Sequence, residues 1–142
     1  MFIKTNALSL GLTDDLTRIE SLCLYGREMA GKSAPLFSVR LRDENGAPVI
    51  IDATEADVSA EYGDNSAMLT YRFDRLTITV TLRGGDCIVW NLDVKNGSDL
   101  AVEYIDFPSL SVAGKLRRNG GDGAIVSTYN EGLLVEDGRL KT

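Results

Sequence analysis

The chain has 142 residues, a net charge of −6, 44% hydrophobic and 25% charged residues, two cysteines and no histidine. That composition describes one ordinary globular domain spanning 1–142. It excludes Ser-His-Asp and Cys-His catalysis, histidine acid–base chemistry and any histidine or cysteine-only zinc site, and it disfavours nucleic acid, since no basic cluster exceeds Lys115, Arg117 and Arg118.

Residues 1–12 alternate loosely through Phe2, Ala7, Leu8, Leu10 and Leu12 and predict one opening strand. They hold no signal-peptide core, and no apolar run in the chain reaches membrane-spanning length. The chain therefore reads as cytoplasmic, either alone or as the N-terminal part of a larger protein, with no cofactor expected. A turn at 13–15 leads into a second strand over 16–25, and residues 26–34 read as a polar loop. The Gly-Lys-Ser triplet at 31–33 is not a phosphate loop. Gly26 stands one position out of place, and Pro35 follows where a helix is needed.

Residues 35–42 form a strand in which Phe37, Val39 and Leu41 alternate with Ser38, Arg40 and Arg42. Asp43-Glu44-Asn45-Gly46 is hairpin chemistry, and a return strand runs over 48–51. The acidic turn lacks the alternate ligands and closing glutamate of a calcium loop and reads as solvated. An acidic connection at 52–57, with one helical turn as the alternative, leads to a short strand over 58–62 and a turn at 63–65. Cys23 and Cys87 fall within apolar patterns and are expected as buried free thiols.

Residues 67–106 predict a meander, because three apolar rows alternate with polar ones there: Leu69, Tyr71, Phe73; Leu76, Ile78, Val80, Leu82; and Ile88, Trp90, Leu92, Val94. A two-residue loop at 74–75 pairs Tyr71 with Ile78 and Leu69 with Val80. A three-residue loop, Gly84-Gly85-Asp86, pairs Leu82 with Ile88, Val80 with Trp90 and Ile78 with Leu92, with a left-handed glycine making it feasible. For the third connection, an Asn96-Gly97 turn sets Trp90 opposite Glu103. A five-residue loop over 95–99 sets Trp90 opposite Tyr104 and Leu92 opposite Val102. The second register is preferred, since it keeps a carboxylate out of the apolar row and gains an aromatic pair.

Phe107-Pro108 ends the meander, Asn119 to Gly123 is a glycine-rich turn, and short strands over 124–127 and 133–135 flank Tyr129-Asn130-Glu131-Gly132. Many short strands with few helical signals indicate an all-β antiparallel sandwich, whose second layer covers the apolar face of the meander. The opposite face carries Thr70, Arg72, Thr77, Thr79, Thr81, Asn91, Asp93 and Glu103. Asn91 lies across from Thr79 and Glu103, and Asp93 across from Thr77. That face reads as a solvated sheet face, with a hydrogen-bonding surface for a sugar or a partner domain as the alternative. It has no flat ring, since Trp90 and Tyr104 point inward in this register. Asp93 and Glu103, on adjacent strands, are the candidates for a glycosidase-like carboxylate pair.

The stretches Trp90 to Ser98 (WNLDVKNGS), Val102 to Leu110 (VEYIDFPSL) and Tyr129 to Val135 (YNEGLLV) resemble the N-terminal β-sandwich domains of some glycoside hydrolases, of the galactose-mutarotase-like supersandwich kind. The resemblance covers about half the chain. It implies a non-catalytic, carbohydrate-associated accessory domain that packs against a catalytic domain of the same protein or holds a glycan. Mutarotase activity itself is not implied, because mutarotases use a histidine acid. Loops of such sandwiches line the neighbouring active site, which makes Tyr129, Asn130 and Glu131 substrate-binding candidates beside Asn91 and Glu103. The alternative is a protein-interaction or oligomerisation module, recognisable by a homo-oligomer with paired edge strands.

Overall fold

A computed structural model describes residues 1–112 and, for the backbone, the strands over 124–127 and 133–136. The described chain is all-β, with every strand pairing antiparallel. No described helix is long and apolar enough to cross a membrane. The first sheet holds β1 (Phe2–Lys4), β2 (Leu8–Leu12), β3 (Arg18–Leu24) and β4 (Arg27–Glu28) in that order, with β5 (Ala34–Pro35) also on β3. β6 (Ser38–Arg42) and β7 (Pro48–Asp52) belong to a second sheet. A third is a four-stranded meander of β8 (Asp57–Gly63), β9 (Ser66–Arg72), β10 (Leu76–Gly84) and β11 (Ile88–Asn96). β12 (Ala101–Asp106) joins β6, and β13 (Ala124–Ser127) pairs with β14 (Leu133–Glu136).

One core serves the first three sheets, a sandwich-like arrangement. Ile3, Leu10 and Leu12, Phe37, Val39 and Leu41, and Leu69, Tyr71, Ile78, Val80 and Leu82 are all buried in one cluster. The alternating row of β10 supplies its centre, with Ile78, Val80 and Leu82 at 0% exposure. Tyr71 meets Phe37 edge-to-face at 4.9 Å.

The predicted opening strand is two strands, turned so that Ile3 faces Leu10. The strand expected over 35–42 is likewise divided. Ala34–Pro35 pairs with β3, and the chain buries Leu36 and Phe37 before β6 begins. The loop expected at 26–34 contains β4, reached through Tyr25 and Gly26, both in the left-handed region (φ 49° and 77°), as a two-residue hairpin turn requires. The connection at 52–57 does form one helical turn, a 3₁₀ turn over Ala53–Glu55. It is closed by a capping box between Asp52 and Glu55.

Within the meander, the β9–β10 register is as expected, with Tyr71 opposite Ile78 and Leu69 opposite Val80. The β10–β11 register differs by two residues. Gly84 faces Ile88, so Leu82 meets Trp90, Val80 meets Leu92, and Asn91 and Asp93 lie across from Thr81 and Thr79. The apolar row stays on the core side because a slip of two preserves parity. β12 does not pair with β11 in either register considered. The Asn96 side chain accepts from the Ser98 N–H (3.0 Å) and hydroxyl (2.6 Å) and donates to the Leu100 carbonyl (2.7 Å). This local knot turns the chain out of the meander towards β6. Trp90 is consequently half-buried rather than enclosed and packs edge-to-face on Phe107 at 5.9 Å. The cysteines are free but not buried: Cys23 is half-buried, and Cys87 is exposed in the β10–β11 turn.

Glu28 is the polar node of the first sheet. Its carboxylate accepts from the Ser21 hydroxyl (2.5 Å), the backbone N–H of Leu22, Met29 and Ala30 (2.9, 3.1 and 2.8 Å) and the Cys23 thiol (3.3 Å). These donors, the Ser21 hydroxyl foremost, hold its pKa down at about 2. A depressed carboxylate contributes stability that is complete above the ordinary value of 4.5 and is lost as pH falls towards 2. Glu28→Gln is therefore expected to flatten the loss of stability across that window. Urea midpoints measured from pH 5 down to about 2 check this, and parallel wild-type and variant curves would refute it.

Candidate functional site

The outer face of the β12–β6–β7 sheet gathers the chain's chemistry. Alternation along β6 buries Val39 and Leu41 and turns Ser38, Arg40 and Arg42 outward. On β7 the outward partners are Asp52, Ile50 and Pro48. β12 contains a bulge between Val102 and Tyr104, so Val102 faces Leu41, Tyr104 faces Arg40 and Ile105 faces Val39. The extra residue, Glu103, breaks the alternation, and both Glu103 and Tyr104 reach the solvent side. Tyr104, expected in the core, is 49% exposed.

The side chains interlock. Arg40 donates its Nε–H to Glu103 (2.8 Å), and its guanidinium carbon lies 5.9 Å from the centre of the Tyr104 ring. Arg42 donates to the other oxygen of the same carboxylate through Nε (2.6 Å), pairs with it again through its terminal nitrogen, and donates to the Gly46 carbonyl (2.6 Å). Gly46 sits at φ 81° in the β6–β7 turn, where the Asp43 carboxylate accepts from the N–H groups of Asn45 and Ala47. Ser38 donates to Asp106 at 3.3 Å.

Arg42, with Arg40 adding to it, lowers the pKa of Glu103, while the Tyr104 hydroxyl and then Glu103 raise that of Arg40. Glu103 is thus an ionised acceptor rather than a proton donor. Two cations share its charge, and Asp52 and Asp106 on the same face leave its outer surface mixed in sign. A separate open depression of about 540 Å³ lies beyond the end of β12, lined by Ala34 of the first sheet and by Ile105, Asp106, Phe107, Ser109 and Ser111. The arrangement presents one exposed ring edged by a fixed fan of hydrogen-bond donors and acceptors.

The expected polar site is divided by this fold. Glu103 lies on the β12–β6–β7 sheet, whereas Asn91 is exposed on the outer face of β11, across from Thr81. Asn91 borders a separate open depression of about 490 Å³ with Thr81, Arg83, Asp86, Cys87 and Val89. Asp93 and Glu103 lie on strands of different sheets, so they are not the cross-strand neighbours that the carboxylate pair considered from sequence would need. Tyr129, Asn130 and Glu131 lie outside the described residues. Arg40, Arg42 and the outward Tyr104 were missed. Two arginines at alternate positions of one strand were the available signal, since they put two cations on one face where an acid on a neighbouring strand is favoured.

No family model matches the chain, and neither a curated protein nor a solved structure matches it.

Proposed function

We propose that the chain is a non-catalytic, carbohydrate-associated β-sandwich domain of a glycoside hydrolase, packing against a catalytic domain and holding glycan on the outer face of β12–β6–β7. The observation that carries this reading is the exposed Tyr104 ring bordered by Arg40, Glu103 and Asp106. A pyranose presents an apolar C–H face to such a ring and hydroxyls at its rim, where charged acceptors and guanidinium donors bind them in pairs. The resemblance of the Trp90 to Ser98 and Val102 to Leu110 stretches to supersandwich domains supports the same reading. The free thiols of Cys23 and Cys87 suit a reducing compartment, the cytoplasm.

The test is an NMR titration with a panel of neutral and acidic oligosaccharides. At least one is expected to shift the amides of residues 38–42 and 101–106, and Tyr104→Ala is expected to weaken it about tenfold, the worth of one stacking contact. If no amide on this face moves, sugar recognition is refuted. The second reading, a protein-interaction module without sugar chemistry, is favoured by the apolar exposure of Val49, Ile50 and Val102 on this sheet (38%, 63% and 37%).

A further inference from the structure

Among the described residues, most sheet edges carry a device against further pairing. β1, β4 and β5 are only two or three residues long. β7 begins at Pro48, β12 is bulged at Glu103, and the outward row of β8 includes two carboxylates, Asp57 and Glu61. β11 has none of these. It runs nine residues without bulge or proline, and its outward charges, Asp93 and Lys95, have opposite signs.

Its free backbone groups follow from the ladder. Gly97 N–H donates to the Arg75 carbonyl (2.8 Å) and Gly85 N–H to the Cys87 carbonyl (3.1 Å) at the two ends of the β10–β11 pair. Bonded pairs alternate in an antiparallel ladder. Val89, Asn91, Asp93 and Lys95 therefore bond to β10, and the N–H and C=O groups of Ile88, Trp90, Leu92, Val94 and Asn96 point to the free edge. The side chains of Ile88, Trp90, Leu92 and Val94 pack on the core yet stay half-buried, while Leu82, Val80 and Ile78 across the strand are 0% exposed. Among the described residues, no further strand completes the core along this edge.

We propose that β11 pairs antiparallel with β11 of a second copy of this chain, about a two-fold axis at Leu92. In that register Leu92 faces its own counterpart, Trp90 faces Val94, and Ile88 faces Asn96 at the ends. Every free edge group from Ile88 to Asn96 gains a partner, and the apolar row continues across the axis. On the outer face Asn91 lies opposite Asp93, an amide able to donate to a carboxylate. Moving the axis to Trp90 sets Val94 against Asp86, and moving it to Val94 sets Leu92 against Asn96. Leu92 is the position at which the row matches itself.

Sedimentation or light scattering of the full chain across a concentration series tests this, with emission from Trp90, the single tryptophan, as a second reading. A dimer is expected, with a blue shift of the emission as it forms. Asn91 is exposed, so its variants should fold and report on the register alone. Asn91→Asp brings two carboxylate pairs face to face across the axis and should raise the dissociation constant about tenfold. Asn91→Lys creates two ion pairs with Asp93 and should lower it by roughly severalfold. A chain that stays monomeric at every concentration overturns the proposal. So does a dimer whose dissociation constant ignores both substitutions.

Discussion

Tyr71→Ala is expected to destabilise the domain by about 3–5 kcal/mol, a large share of the roughly 5–15 kcal/mol that holds a domain together. Tyr71 is 0% exposed on the buried face of β9, and its ring stands edge-on to Phe37 at 88°. Truncation leaves a cavity where β9 meets the Phe37 segment, and a packed interior closes such gaps only partly. The hydroxyl has a separate role. It donates to the Leu16 carbonyl at 2.6 Å, and Leu16 is held in the left-handed region at φ 62°, a conformation that is strained for a leucine. Burial also raises the pKa of the Tyr71 hydroxyl, keeping it protonated as the donor this contact needs. Tyr71→Phe should therefore lose about 1–3 kcal/mol, since it leaves a buried carbonyl unpaired while preserving the ring. Urea unfolding followed by Trp90 fluorescence separates the two effects. A neutral Tyr71→Phe would mean that the hydroxyl does not hold the turn before β3.

What could be read in advance follows from what side-chain periodicity encodes. Alternation specifies which face a residue occupies, so the buried rows of β9 and β10 and the inward row of β11 were all legible. It does not specify register beyond parity, and Leu82 met Trp90 rather than Ile88 without any residue changing face. Nor does it say which sheet a strand joins. β12 read as the meander's next strand, yet it pairs with β6, where Glu103 finds Arg40 and Arg42. The bulge is the hardest feature to foresee. One inserted residue reverses the alternation between Val102 and Tyr104, which moved an aromatic ring from the expected core to the centre of the candidate site. The site was thus half legible: Glu103 was singled out, but its neighbours depended on a pairing between strands some sixty residues apart in the chain (Arg40 and Glu103, 63 apart). Asn91, singled out with it, went to a different sheet.

The second large effect is expected at Gly84, for a reason unlike the one that sequence suggested. The β10–β11 turn was expected to need a left-handed glycine, but neither Gly84 nor Gly85 lies in that region. Gly84 is required by proximity. A β-carbon there would fall well inside van der Waals contact with the Lys4 carbonyl oxygen and the Asn65 side-chain nitrogen. Those two atoms bond each other. Asn65, itself left-handed at φ 51° in the β8–β9 turn, donates to the Lys4 carbonyl (2.7 Å) and accepts the Lys4 N–H (2.8 Å), and its own carbonyl accepts the Gly84 N–H (2.9 Å). An asparagine side chain thus continues the edge of β1 as a strand would and ties the first sheet to the meander. Gly84→Ala forces a backbone carbonyl to move, breaking that clasp, and is expected to cost about 2–4 kcal/mol from overlap and lost hydrogen bonds together. Gly85→Ala is the control. Nothing lies within 4 Å of its β-carbon position, so its effect should stay within about 0.5 kcal/mol. Urea midpoints of the two variants decide the matter, and equal losses would show that the turn, not the clasp between Lys4 and Asn65, sets the demand for glycine.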